Sequence, residues 1–390
     1  MKKEIDVETA SSIPISLYIH IPWCVKKCPY CDFNSHEASM SFDEQGYINA
    51  LINDLEVELP HISDRLLTSI FIGGGTPSLF SPESLDMLLS SIREYLNLYS
   101  NIEITLEVNP GTVEAKKFFE YKEVGINRLS IGIQSFHDKS LKLLGRIHDA
   151  DEAKEAILIC KEAGFGNFNL DIMYGLPNQT VDNALLDLTQ AVEQSPTHIS
   201  WYQLTIEPNT AFSSNPPQIP NDDITWDMQK EGQEFLKHSD FHRYEISAYT
   251  KKKFASIHNT NYWEFGDYIG IGAGAHSKVT NASEGKIERY SRHKIPKRYI
   301  ELAGSKAVIT EKRLLNASEI PLEFMMNALR LTDGVPSKLF FERTGLSMDT
   351  IAKELKYAEK GGLLESHQNK IIPSSQGQRY LNDLLEIFMR

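Results

Sequence analysis

Apolar positions along this chain follow two rhythms. Segments 16–21, 69–74, 103–108, 128–133, 167–174, 199–205 and 244–249 are short runs of aliphatic, β-branched and aromatic residues, the composition of strands. Segments 42–59, 81–96, 112–124 and 151–164 repeat apolar residues every three or four positions, which places them on one face of a helix. Ser81 and Thr112 stand where N-caps belong. Strand and helix alternating at this spacing predict βα units around a parallel sheet. Six or seven such units predict a barrel or open barrel rather than a small doubly wound sheet.

The rhythm changes near residue 283. A polar stretch gives way to helical periodicity over 321–331, a helix over 348–361, a short hairpin in GLLESHQNKIIP and a last helix over 376–388. The chain therefore divides into an α/β unit over 1–282 and a smaller α+β, winged-helix-like region over 283–390. Winged helices often bind DNA, but no dense basic helix occurs here, and a packing or lid role is the reading preferred. Charge agrees: 40 Lys and Arg against 53 Asp and Glu leave −13, which opposes binding to nucleic-acid phosphates. No apolar run approaches the ~18 residues of a membrane span. The two lysines at the N-terminus precede no apolar stretch, so no secretory signal is expected and the cytoplasm is the natural compartment.

Chemistry concentrates after the strands. Three of the four cysteines, Cys24, Cys28 and Cys31, have C-x3-C-x2-C spacing directly behind the first strand. Clustered cysteines in a reducing compartment point to metal rather than disulfides. Three thiolates on one compact loop can hold three corners of an iron–sulfur cubane and leave its fourth iron open. A structural zinc site would want a fourth ligand, for which His20 or His36 is available. Cys160 lies on an apolar helix face and reads as a small buried hydrophobe. Gly74, Gly75 and Thr76 follow the second strand, Glu107 and Asn109 close the third, Gln134 the fourth, and Asp171 lies in the fifth. Barrel chemistry sits at the C-terminal ends of strands, so these positions predict one shared site. Taken singly, each is also an ordinary turn or strand-end residue.

The cysteine spacing, with Tyr30 just before the last cysteine, resembles the signature of the radical S-adenosylmethionine (SAM) superfamily. The resemblance implies a partial (β/α) barrel holding a [4Fe–4S] cluster, whose open iron is chelated by the amino and carboxylate groups of SAM. One electron from the reduced cluster then cleaves SAM to a 5′-deoxyadenosyl radical. It also implies roles for individual residues. Gly74, Gly75 and Thr76 meet the SAM amino group, and Glu107 binds the ribose hydroxyls. Gln134, Arg146 and Asp171 match further SAM positions. Tyr18 and Tyr30 match positions flanking cluster and SAM, although either ring is equally core packing.

Across nearly the whole chain the resemblance is to the group containing oxygen-independent coproporphyrinogen III oxidase and the haem chaperones. The stretches NLDIMYGLP and HNTNYWEFGDYIGIGAGAHS look like the chaperone side of it. The oxidase carries a further cysteine two residues after the third cluster cysteine; here that residue is Phe33, so decarboxylation of coproporphyrinogen is not expected. His258 opens an H-N-x-x-Y element resembling the one tied to haem in that group. Tyr262 falls four residues on, one helical turn away on the same face, and Trp263 and Phe265 are apolar surface for a macrocycle or else core. The resemblance thus implies a haem carrier that binds a [4Fe–4S] cluster, SAM and haem and delivers haem to an acceptor, such as a respiratory protein. The alternatives are a radical enzyme of porphyrin metabolism and a regulatory binding module. His198 and His276 have no assigned role, though His276 follows a glycine-rich run suited to a pocket mouth.

Overall fold

The computed structural model describes residues 13–38, 42–62, 64–111, 115–281 and 286–389. Twelve strands form one sheet: β1 Ile15–Ile21, β2 Leu66–Gly74, β3 Asn97–Val108, β4 Arg128–Gln134, β5 Phe168–Tyr174, β6 His198–Gln203, β7 His242–Glu245, β8 Ala248–Thr250, β9 Asp267–Ile271, β10 His276–Asn281, β11 Lys286–Arg292 and β12 Ile309–Leu314. Their spatial order is β12-β11-β10-β9-β1-β2-β3-β4-β5-β6-β8-β7. Strands β1 to β6 run parallel in chain order, and β9 lies parallel to β1 on its other side. Antiparallel strands extend both flanks, and the edges β12 and β7 do not pair, so the barrel stays open.

Helices α1 Glu44–Ile62, α2 Pro82–Tyr95, α3 Ala150–Glu162, α4 Val181–Glu193 and α5 Asp222–His238 cover the outer face. Their starts are chemically set. The Ser81 hydroxyl accepts the Ser84 N–H ahead of Pro82, and Asp149 with Glu152 forms a reciprocal capping box, each cap contributing about 1 kcal/mol. Alternation along the parallel strands sorts the side chains. Leu17, Ile19 and Ile21 of β1, Ile70 and Ile72 of β2, and Leu129, Ile131 and Ile133 of β4 join the apolar core. The residues between them face the barrel interior and carry the polar and aromatic groups described below.

Two sequence expectations change, and two others fall outside the described residues. Segment 244–249 is the hairpin β7–β8 rather than one strand, because the Ser247 N–H and hydroxyl both turn back onto Glu245 Oε1 at 3.0 Å. Residues 282–285, where the sequence pattern divides the chain, lie outside the described residues, and the main sheet continues through β11 and β12 to Leu314. Thr112 likewise lies outside them, and its helix spans Phe118–Glu123. The helix over 376–388 is two pieces, Ser375–Arg379 and Leu381–Glu386. Beyond Leu314, helices Ile320–Ala328, Lys338–Thr344 and Ala352–Lys360 surround a two-residue pairing of Val335–Pro336 with Lys370–Ile371. These pack a second apolar core that Phe265 and Ile287 enter from the main sheet. Among the described residues no helix is long and apolar enough to cross a membrane.

Helix α1 is fastened to β11 by buried charge. Arg292 contacts both Asp54 and Glu58, Tyr299 donates to Asp54 at 2.8 Å, and Tyr290 donates to Glu58 at 2.7 Å. Removing only the cation leaves two buried carboxylates facing one another. Arg292→Met should therefore cost about 3–5 kcal/mol in urea unfolding. A loss below about 1 kcal/mol would show that the carboxylates relax to water.

Candidate functional site

The cysteine loop leaves the end of β1 and is held on every side. Trp23 and Cys24 pair in parallel with His36 and Glu37, closing the loop's ends together. Cys31 N–H donates to the Cys28 carbonyl at 3.1 Å, turning the backbone between them. Lys27 Nζ reaches the carbonyls of Phe33 and Ser35, both at 3.2 Å. The Asn34 amide donates to the carbonyls of Ala273 and Lys294, both at 2.8 Å. The result is three free, half-buried thiols on one wall of a cavity of about 490 Å³.

The glycine loop at the end of β2 is pressed against that same strand end. Gly75 N–H donates to Ile21 O at 2.6 Å and Thr76 N–H to Trp23 O at 2.7 Å. A Cβ on Gly75 would lie 2.5 Å from the Trp23 oxygen, and Gly74 has φ +114° with the His20 ring 2.6 Å from where its Cβ would stand. Only glycine fits both positions. Gly74 N–H donates to Glu107 Oε2 at 3.0 Å. With all three amides engaged, the loop offers a ligand carbonyl oxygen rather than N–H.

Glu107, Gln134 and Asp171 meet in this cavity, as their places on the strands predict, joined by Arg146 from the turn after the short helix Asp138–Leu143 and by Tyr30, Thr76 and Asn109. Asp171 accepts from Ser130 and Asn169, both at 2.9 Å. Burial, reinforced by the nearby Asp171 charge, pushes Glu107 up to about 8. Arg146 Nη2 donates to Asn109 and to the Gly132 carbonyl at 2.8 Å, and its Nη1 lies 3.7 Å from Cys28 Sγ. Gln134 sits at φ 70°, and its side-chain oxygen accepts the Tyr202 hydroxyl at 2.8 Å. Tyr202, assigned no role from the sequence, reaches the cavity from β6, and inward alternation along that strand is the signal that points to it. Phe33, 58% exposed, stands at the rim.

The donor set fits an iron–sulfur cluster. Burial raises the Cys24 thiol, so ligation there has to be driven by metal displacing the proton, while the Arg146 guanidinium offsets negative charge beside Cys28. Among the described residues no three His, Cys, Asp or Glu side chains gather around a single-ion site. A cubane differs in giving each thiolate its own iron. Of the histidines available to a zinc centre, His20 has both nitrogens engaged, by Tyr18 OH at 3.0 Å and Asn34 O at 2.9 Å. Cys160 is buried and its thiol is pushed up to about 12, as a core residue.

Two expected site residues lie elsewhere. Tyr18 points from β1 into a second cavity, of about 380 Å³, whose lining includes Phe71, His258, Tyr262, Tyr268 and His276. His258 begins the helix α6 Ile257–Trp263 and shares a face with Tyr262, as its spacing predicts, but it is only 1% exposed. Its Nδ1 is 3.0 Å from Ser69 Oγ and its Nε2 is 3.0 Å from Tyr262 OH. Burial, with Arg128 adding, pushes it down to about 3, so the ring is neutral. Freeing either nitrogen would strip a buried hydroxyl of its partner, at about 1–3 kcal/mol. Trp263 lines this cavity, whereas Phe265 is core.

Comparison with known proteins gives a consistent result. The Radical SAM superfamily model matches residues 18–188, and the HemN C-terminal domain model matches residues 315–380. Heme chaperone HemW of Haemophilus influenzae is 50% identical over 380 residues, covering 96% of this chain and 98% of that protein. Heme chaperone HemW of Escherichia coli is 46% identical over 376 residues, with 96% and 98% covered. The solved structure of coproporphyrinogen III oxidase from Escherichia coli, a radical SAM enzyme, superposes with a TM-score of 0.82 at 22% identity, over 97% of this chain and 90% of that one. At that identity the superposition establishes the fold.

The raised Glu107 pKa makes stability pH-dependent. Between its ordinary 4.5 and about 8, the unfolded chain releases a proton that the folded chain keeps. The cluster-free protein therefore loses stability as pH rises through that window. Glu107→Gln should remove the loss, gaining about 1–3 kcal/mol on wild type between pH 5 and pH 8 in urea titrations. Parallel pH profiles for the two proteins would mean that Glu107 is already ionised.

Proposed function

Since this chain belongs to the radical SAM superfamily, and within it to the HemW group of haem chaperones, we propose that it is a haem carrier that holds a [4Fe–4S] cluster and SAM and passes haem to an acceptor such as a respiratory haem protein. The observation that carries the cofactor half is the convergence of three free thiols, Glu107, Gln134, Arg146 and Asp171 on one cavity. The haem half rests on the relatives, which are named as heme chaperones.

On this reading Cys24, Cys28 and Cys31 hold the cluster and leave one iron for the amino and carboxylate groups of SAM. The cluster, when bound, supplies a single electron at low potential. The chain does the rest by position and charge. Arg146 stabilises negative charge beside Cys28. The carbonyls of the Gly74–Thr76 loop accept from the N–H groups of the SAM amine, and Tyr30 covers the cluster side of the cavity. Glu107 accepts the ribose diol as a carboxylate, so binding is coupled to loss of the proton it holds in the empty site. The cationic sulfonium favours that loss. Asp171 and the Gln134–Tyr202 pair line the remainder. Thiols that must remain reduced to hold iron suit the cytoplasm.

The oxidase reading is the weaker one, because Phe33 puts a phenyl ring at the rim where the oxidase motif has a thiol. Anaerobic reconstitution should load about four irons per chain. Cys24→Ser should lose most of that iron, and Cys160→Ser none. SAM should alter the EPR spectrum of the reduced cluster, less so in Glu107→Ala, whose affinity should fall roughly ten- to a hundredfold. Iron lost from Cys160→Ser, or a spectrum indifferent to SAM, would refute the assignment of this cavity.

A second measurement addresses the function itself. The protein should bind hemin saturably and should form no protoporphyrinogen from coproporphyrinogen under reducing, anaerobic conditions with SAM. Turnover above that of Cys24→Ser would return it to the enzymes.

A further inference from the structure

The second cavity contains a better metal ligand than the one its motif suggests. His258 faces it with both nitrogens bonded. His276 lines the same cavity from the start of β10, is exposed, and its ring makes no hydrogen bond among the described residues. The intervening wall is aromatic, formed by Tyr18, Tyr262 and Tyr268. Register places Arg289 of β11 opposite Lys278, hence diagonally across from His276 on the same face of the sheet. Arg289 also lines the cavity, held by Tyr268 OH at 3.1 Å and by Glu323 at 2.5 Å.

We propose that His276, not His258, is the axial ligand to haem iron, with the macrocycle against Tyr18, Tyr262 and Tyr268. The proposal rests on the haem-carrier reading above and names the ligand within it. The chemistry is matched on two counts. An imidazole with free nitrogens is a common ligand for haem iron. Phenol rings present flat apolar surface with a polar tip for a flat apolar ligand. His258 then acts by positioning: it fixes the Tyr262 hydroxyl through Nε2 and anchors α6 to β2 through Ser69.

The test is a hemin titration of the full chain with its cluster in place, followed by the Soret band and by low-spin EPR. Wild type should bind saturably with an imidazole-ligated signature. His276→Gly should lose that signature and bind roughly tenfold more weakly or worse. Free imidazole should restore it by entering the vacated position. His276→Met should exchange it for a thioether-ligated spectrum, which a merely structural role would not produce. His258→Gln should retain imidazole ligation. Iron content and urea midpoints report whether each variant is folded. If His276→Gly and His276→Met keep the wild-type spectrum and affinity, or if His258→Gln alone loses the signature, the ligand assignment is overturned and the carrier reading stands. If wild type binds no hemin saturably, the carrier reading itself falls and this inference with it.

Discussion

Two backbone hydrogen bonds, from Gly75 to Ile21 and from Thr76 to Trp23, join the end of β2 to the end of β1 at a separation that leaves no room for a Cβ. The cysteine loop starts from that strand end, so its first thiol is fixed relative to β2 before any metal arrives. Glu107 extends the chain of constraint by holding the Gly74 amide, which ties β3 to the same point. Three neighbouring strands are thus locked together where the thiols emerge. The rest of the loop can then be held by longer reaches, from Lys27 to two carbonyls and from Asn34 across to residues 273 and 294. Loops are ordinarily the mobile part of a barrel. Here the loop is buttressed as a strand would be, which is what a group held at three points requires.

The interior of the barrel is divided by the rings that β1 and β2 turn inward. Tyr18 lies 6.2 Å from Phe71, stacked, and Phe71 lies 5.0 Å from His258. On one side are the thiols and the paired carboxylates; on the other is the aromatic cavity. The wall is thin enough for charge to be felt through it: the Glu107 charge adds to burial in raising the Tyr18 hydroxyl. Tyr18, expected to flank SAM, stands in this wall, lining the aromatic cavity with the Glu107 carboxylate close behind it.

Much of this was legible in the sequence, because periodicity reports burial and motifs report spacing. Strands β1 to β6 and helices α1 to α3 follow directly from where apolar residues recur. The strand-end rule brought Glu107, Gln134 and Asp171 to one cavity with the cysteines. What escaped had no periodic or local signature. Strand β12, Ile309–Leu314, is exposed along nearly its whole length and reads ITEKRL, the charged character of an edge strand, so the sheet seemed to end before it. The β7–β8 turn depends on a side chain, Ser247, bonding back to Glu245, which apolar periodicity cannot register. His258 opens the motif but is saturated by Ser69, 189 residues away, and by Tyr262, whereas the His276 ring, near the end of the same stretch, makes no hydrogen bond among the described residues. Whether a nitrogen is available is a property of tertiary contacts, not of the residues beside it.

The two cavities differ in electrostatic character, and that difference suits the division of labour proposed. Glu107 and Asp171 face the first cavity close enough that one resists ionising while the other is charged. Such a pair penalises an anionic guest and rewards a cationic one, since a positive centre nearby relieves the repulsion and the desolvation together. A sulfonium meets that requirement; a dicarboxylated porphyrin does not. The lining of the second cavity is largely aromatic, and the arginine in it, Arg289, is ion-paired with Glu323. On the reading proposed, a compact cationic ligand and a flat apolar one would lie on opposite sides of one aromatic wall, set there by the residues that alternate inward along β1, β2 and β3.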